Sequence, residues 1–245
     1  HFSFDTMKPA DIAECSFDLI YLTLVLLIGY TMWTRRGIQE YTYFAVMCLL
    51  LGGGDSFHLL PRVYSKMVGV NDTVLAAIGI GNLISSITMS VFYLLFLEVI
   101  SVRYNRPLTK TRYWMYGLLA ARIIALMLPQ NDWLHHTHNL TMAWIRNIPF
   151  MAMGCIIVWL LFDVVRGHPE DGFRYMWIYV TGSFGCYIPV ALCNLDLVYQ
   201  IVLMIVKTIM YVLIVLTGFK TLPWKDEKRD STVCSTYLSC SPMVV

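Results

Sequence analysis

Seven long apolar runs separated by short polar connectors constrain this chain more than anything else in it. They cover residues 19–33, 43–61, 74–102, 113–128, 140–165, 174–193 and 198–219, the first extending upstream to about Ser16. An α-helix rises 1.5 Å per residue, so about 20 apolar residues cross a hydrocarbon core of roughly 30 Å. In lipid the backbone must satisfy its own hydrogen bonds, which makes each run a helix. Only 14% of the residues are charged and 58% are hydrophobic, against about 25% charged in a soluble domain. Pro61, Pro107, Pro129, Pro169 and Pro223 fall at or beyond the ends of the runs, as helix breakers should.

The expected fold is therefore all-α: a polytopic membrane protein with a bundle of seven transmembrane helices over residues 1–222, followed by a polar, disordered tail over 223–245. Lysine and arginine set its orientation. Arg35 and Arg36, then Arg103, Arg106, Lys110 and Arg112, then Arg166 and Arg174, and finally Lys220, Lys225, Lys228 and Arg229 occupy alternate connectors and the tail. They place the N-terminus outside and the C-terminus in the cytoplasm of a multi-pass protein of the plasma membrane or an endomembrane. Two N-x-S/T sequons, at Asn71 and Asn139, then fall in outer connectors as candidate glycosylation sites.

Several chemistries lack their motifs. There is no P-loop, dinucleotide fingerprint or Ser/His/Asp nucleophile pattern. No basic soluble domain is present to bind nucleic acid. The seven cysteines show no CxxC or zinc-type spacing. The tract "NDWLHHTHN" gathers His135, His136 and His138 near Asp132, but the spacing suits no helical metal ligand pair, and an exposed loop accounts for it. No metal is expected, and no cofactor can be named.

The informative residues are the polar ones inside the apolar runs. Counted from the outer ends, Asp55, His58, Asn82, Arg122, Arg146, Asn147, Tyr187 and Lys207 lie about 5–14 Å deep at the helical rise. Six helices thus place polar groups in one layer. Intramembrane charges face the bundle interior or water, not lipid. One cation is expected to pair with Asp55, Lys207 being favoured, which leaves two of Arg122, Arg146 and Lys207 over. A water-filled cavity that receives an anion, such as a phosphate headgroup, follows from that surplus. Glu98 and Asp163 sit near the inner ends beside basic connectors and are expected to pair there. Gly52–Gly54, just before Asp55, suits either close helix packing or close approach of a ligand.

The stretches "GGDSFHLLPR" (53–62) and "AIGIGNLISSITMSVFY" (77–93) resemble the lysoplasmalogenase family of small polytopic membrane hydrolases. In that family a Gly-Asp pair ends an apolar run, and the next helix carries glycine, a small-residue patch and an aromatic. The resemblance implies general acid/base roles for Asp55 and for His58, standing in for the absent His, with Arg122 and Arg146 holding the phosphate; Asn82, Ser85, Ser86, Tyr187 and Lys207 are the further candidate substrate contacts. The implied reaction hydrates a vinyl-ether lysophospholipid and releases a fatty aldehyde. The chain departs from the family in lacking one N-terminal span, in having Ser85 or Ser86 where a His is usual, and in lacking a later Ser-Asp motif. A second likeness, to microbial rhodopsins, rests on seven spans and on Lys207 in the last. It implies a photosensor or receptor binding retinal or a small ligand at that lysine. A small transporter using the same cavity is the remaining alternative. The expectation is an enzyme acting on an anionic amphiphile, with a lipid or small amphiphilic ligand as partner.

Overall fold

The computed structural model describes residues 9–34, 39–135, 139–193 and 196–221. Arg35, Arg36 and the tail from Pro223 onward lie outside them. Among the described residues there are seven α-helices and no strand: α1 (Pro9–Thr34), α2 (Gln39–Val68), α3 (Asp72–Arg103), α4 (Thr109–Met127), α5 (Leu140–Gly167), α6 (Met176–Leu192) and α7 (Leu197–Thr221). Five of them, α1, α2, α3, α5 and α7, are long and apolar enough to cross a membrane. The other two are shorter: α4 has 19 residues, interrupted by Lys110, Arg112 and Arg122, and α6 has 17.

Short connectors force consecutive helices to run antiparallel. α1 packs on α2 and α2 on α3; α5 takes contacts from α3 and α4; α6 and α7 follow, and α7 closes the ring against α1. The bundle has a near end, where α1 begins, and a far end, where α1 finishes.

Two helices extend furthest beyond their apolar runs. α1 begins at Pro9 and not near Ser16, and α2 passes through Pro61 to Val68 instead of stopping there. The extensions hold each other in place by charge: Arg62 Nη2 lies 2.5 Å from Glu14 Oε1, and Lys66 Nζ pairs with Glu14 and, at 3.1 Å, with Asp11. Pro61 has no N–H to offer the Phe57 carbonyl. That carbonyl is instead covered by α3 at Gly81, where a Cβ would stand 2.1 Å from the Phe57 oxygen. α2 then stops at Gly69, whose φ of +96° is a left-handed stop that glycine adopts without strain.

The far end is closed by ion pairs. Arg103 donates to Glu40 (2.7 Å) and to Asp171 (2.9 Å from Nε), and its guanidinium lies 4.2 Å from the Phe173 ring centroid. Tyr104 also donates to Asp171. Burial alone would raise the Asp171 carboxyl, but hydrogen bonds from Arg103 and Tyr104 outweigh it and hold the group below its usual value. Arg112 grips Glu98 through two bonds of 2.6 Å, and Arg106 pairs with Asp163. Both acids thus have the basic partners expected of them.

Candidate functional site

The near half of the bundle holds a cavity of about 360 Å³, walled by α2 to α7 and by the α4–α5 connector. Its floor is aromatic. Phe150 lies on the wall, and its ring packs 5.3 Å from Tyr93 and 5.1 Å from Phe184.

Three cations from three helices reach this space. Arg122 of α4 is 2% exposed, with its guanidinium 3.8 Å above the Phe150 ring. Its Nε and one Nη have no hydrogen-bond partner among the described residues. Arg146 of α5 lies 4.9 Å over Trp133 and donates to Asn131 Oδ1 (3.1 Å). Lys207 of α7 places its ammonium 5.2 Å from the Tyr187 ring and 5.4 Å from that of Tyr211. Among the described residues none of the three forms an ion pair. Ring faces attract cations, and they do so without using up N–H donors.

Neutral polar groups complete the wall. His58 of α2 contributes an imidazole whose Nδ1 is buried without a partner. Asn82, Ser85 and Ser86 come from α3. Asn147, buried on α5, accepts a 2.8 Å hydrogen bond from the Tyr187 hydroxyl. The structure thus brings together on one surface every residue expected to contact substrate, with His58 beside them.

Asp55 is the exception. It is buried but does not line the cavity, and among the described residues it pairs with no cation. The Tyr21 hydroxyl donates to Oδ2 (2.8 Å) and the Ser85 hydroxyl to Oδ1 (2.9 Å). The expected Asp55–Lys207 ion pair is absent because the carboxylate faces the seam with α1 and α3, where hydroxyls satisfy it. All three cations, and not two, are therefore left over. Asp55 touches the cavity only through Ser85, which belongs to both.

The glycine triplet serves packing. A Cβ on Gly52 would meet Leu26 of α1 at 3.0 Å, and one on Gly54 would fall 1.9 Å from Thr88 Oγ1 of α3. Around Gly53 there is nothing within 4 Å. None of the three lines the cavity.

The α4–α5 connector supplies two residues, Asn131 and Trp133, that the sequence did not single out. After a short 3-10 turn (Pro129–Asn131), Asp132 takes a left-handed φ of 44°. Asn131 donates to the carbonyls of Ala125 (2.8 Å) and Leu128 (2.9 Å), capping α4, which leaves its Oδ1 to orient Arg146. Trp133 is pinned by an indole bond to the Leu126 carbonyl (2.9 Å). Gln200, Met204 and Tyr211 are further wall residues on α7. Their signal was faint, since a loop Asn and Trp beside a proline read as ordinary turn chemistry.

His135 bonds Asp132 (2.7 Å) at the rim; this contact raises the His135 pKa above its ordinary value. His136 and His138 lie outside the described residues. The sequon residues Asn71 and Asn139 are exposed, and their side chains cap α3 and α5 by accepting from Val74 N (2.9 Å) and Met142 N (3.3 Å).

The arrangement suits an anion. Forked guanidinium donors bind phosphate oxygens in pairs, and an ammonium adds a point charge. No protein-family model matches the chain, and comparison with curated proteins and with solved structures returned no match.

Proposed function

We propose that this is a seven-span membrane protein, N-terminus outside and C-terminus cytoplasmic, whose cavity takes the anionic headgroup of a lipid-like molecule for hydrolysis. Antiparallel helices and the concentration of Arg103, Arg106, Lys110, Arg112, Arg166 and Arg174 at the far end support that topology. At 1.5 Å per residue, α4 and α6 are about 26–28 Å long, close to the core thickness.

One observation carries the binding reading: Arg122 is buried with two polar nitrogens unpartnered, beside two further unpaired cations. Phosphate is the simplest group that satisfies all three. The chemistry is proposed by analogy with lysoplasmalogenase-like hydrolases. His58, on the wall with a free ring nitrogen, is the general acid/base. It protonates the vinyl carbon of an alkenyl ether, water adds to the resulting oxocarbenium carbon, and the hemiacetal collapses to an aldehyde and the glycerol alcohol. Asp55 acts as a positioning residue for Ser85.

Purified protein incubated with an alkenyl lysophospholipid should release aldehyde. His58→Gln should slow that release by about 100-fold or more while still binding glycerol phosphate. Binding without turnover in the wild type would sink the enzyme reading and leave the anion site. A second reading uses Lys207, unpaired and flanked by Tyr187 and Tyr211, as a Schiff-base anchor for an aldehyde such as retinal. Visible absorbance of the protein loaded with retinal, lost in Lys207→Arg, would favour it.

A further inference from the structure

Beside the cavity lies a second hollow of about 250 Å³ between α3 and the end of α4. Its lining is apolar: Leu83 of α3, Leu126 and Met127 of α4, and Leu128, Pro129 and Leu134 of the connector. Its other two residues, Asp132 and Trp133, also line the cavity, so the two spaces share a wall. The wall is fixed. Trp133 is bonded to the Leu126 carbonyl, and the connector lies so close on α3 that a Cβ at Gly79 would stand 1.7 Å from the Trp133 carbonyl oxygen. Met127 and Leu134, 57% and 58% exposed, form its outer lip.

We propose that this crevice holds a hydrocarbon chain of the same molecule whose anionic head occupies the cavity, so the ligand is an amphiphile with its tail seated against Leu83, Met127 and Leu134. The inference rests on the anion-binding reading and adds the subsite that selects the tail. The shared lining identifies the occupant: a molecule bound over Asp132 and Trp133 has its charge among Arg122, Arg146 and Lys207 and its tail among leucines. A polar ligand finds little in the crevice, because its one acidic side chain, Asp132, is already engaged by His135.

The test uses the full chain in lipid nanodiscs and a series of monoalkyl phosphates from propyl to octyl, with glycerol phosphate as the tail-less probe and empty discs as the partition control. The wild type should bind about fourfold tighter per added methylene until the crevice is filled. Leu83→Trp, which plugs the crevice from α3, should flatten that dependence and leave glycerol phosphate affinity within twofold of wild type. Leu134→Trp, from the connector, does the same if the first variant folds poorly. Chain-length dependence that persists in both variants, or that is missing from the wild type while glycerol phosphate binds, overturns the tail subsite and leaves the anion site intact. Failure of the wild type to bind glycerol phosphate or any alkyl phosphate overturns both.

Discussion

Arg122 is buried as a cation with two nitrogens unpartnered among the described residues. A buried cation with unsatisfied donors costs several kcal/mol, of which stacking on Phe150 returns about 2 kcal/mol. Replacing it with a straight apolar chain should therefore help the fold while removing the function. Arg122→Met is expected to raise unfolding stability by about 1–4 kcal/mol and to abolish phosphate binding. Phosphate at 100 times its dissociation constant should stabilise the wild type by about 2.7 kcal/mol and the variant not at all. Thermal unfolding in detergent, with and without phosphate, reads both effects. A variant that is destabilised and still gains from phosphate would make Arg122 a packing residue. The cation layer was legible in the sequence because charges inside apolar runs can be counted and their depth measured along the helix. What Asp55 pairs with was not. It lies three residues before His58 and so on nearly the same face, yet a modest rotation separates a carboxylate on the α1–α3 seam from an imidazole on the cavity wall. Tyr21, its strongest neighbour, comes from a helix that contributes nothing else to the site.

Gly52, Gly53 and Gly54 show how the elements, and not the residues alone, decide what a position tolerates. Their order in sequence is uniform, but helical rotation of 100° per residue sends the first toward α1, the third toward α3 and the middle one toward open space. Gly53→Ala should be neutral or stabilising by up to ~1 kcal/mol, because the helix loses only backbone freedom in the unfolded chain. Gly54→Ala should cost about 1–3 kcal/mol by forcing Thr88 aside. Gly81→Ala should cost at least as much, since its obstacle is the Phe57 carbonyl in the α2 backbone, which cannot rotate away. Unfolding titrations of the three variants give the ranking directly; equal costs would mean that the α2–α3 seam can slide. Helix number and order were readable from hydropathy, as all seven runs became helices. The ends were not, because polar turns add nothing to an apolar count. α1 and α2 continue past their runs only because Asp11 and Glu14 find Arg62 and Lys66 across the seam, and that pairing depends on the register of two helices. Pro61 read as a breaker for the same reason: the glycine that covers its orphaned carbonyl belongs to another helix.

Across the whole molecule charge is arranged asymmetrically, with the cations at the two ends paired and those of the cavity left without an acidic partner among the described residues. At the far end Arg103 ties the start of α2, through Glu40, to the α5–α6 connector, through Asp171, while Arg112 and Arg106 clip α4 and the α3–α4 connector to α3 and α5. The cavity cations of the near half have no such partners. A bundle built this way can leave donors unsatisfied in one half because the other half fixes the spacing of the helices. The lock has a pH signature. Asp171 is held below the ordinary carboxylate value, so the folded protein binds its proton less readily than the unfolded chain does. Its stabilisation is therefore complete above the unfolded value of ~3.9, and it drains away as pH falls through the lower folded value. At neutral pH Asp171→Asn should cost about 1.5–3 kcal/mol, the range for hydrogen bonds to charged groups, because Arg103 keeps Glu40. The difference between wild type and variant should stay constant down to about pH 5 and shrink below about pH 4. Glycerol phosphate binding in the variant should stay within twofold of wild type at pH 7, since distant sites without shared partners act independently. A large loss of binding would instead mean that the lock and the cavity form one cooperative unit, in which closing the far end sets the width of the anion site.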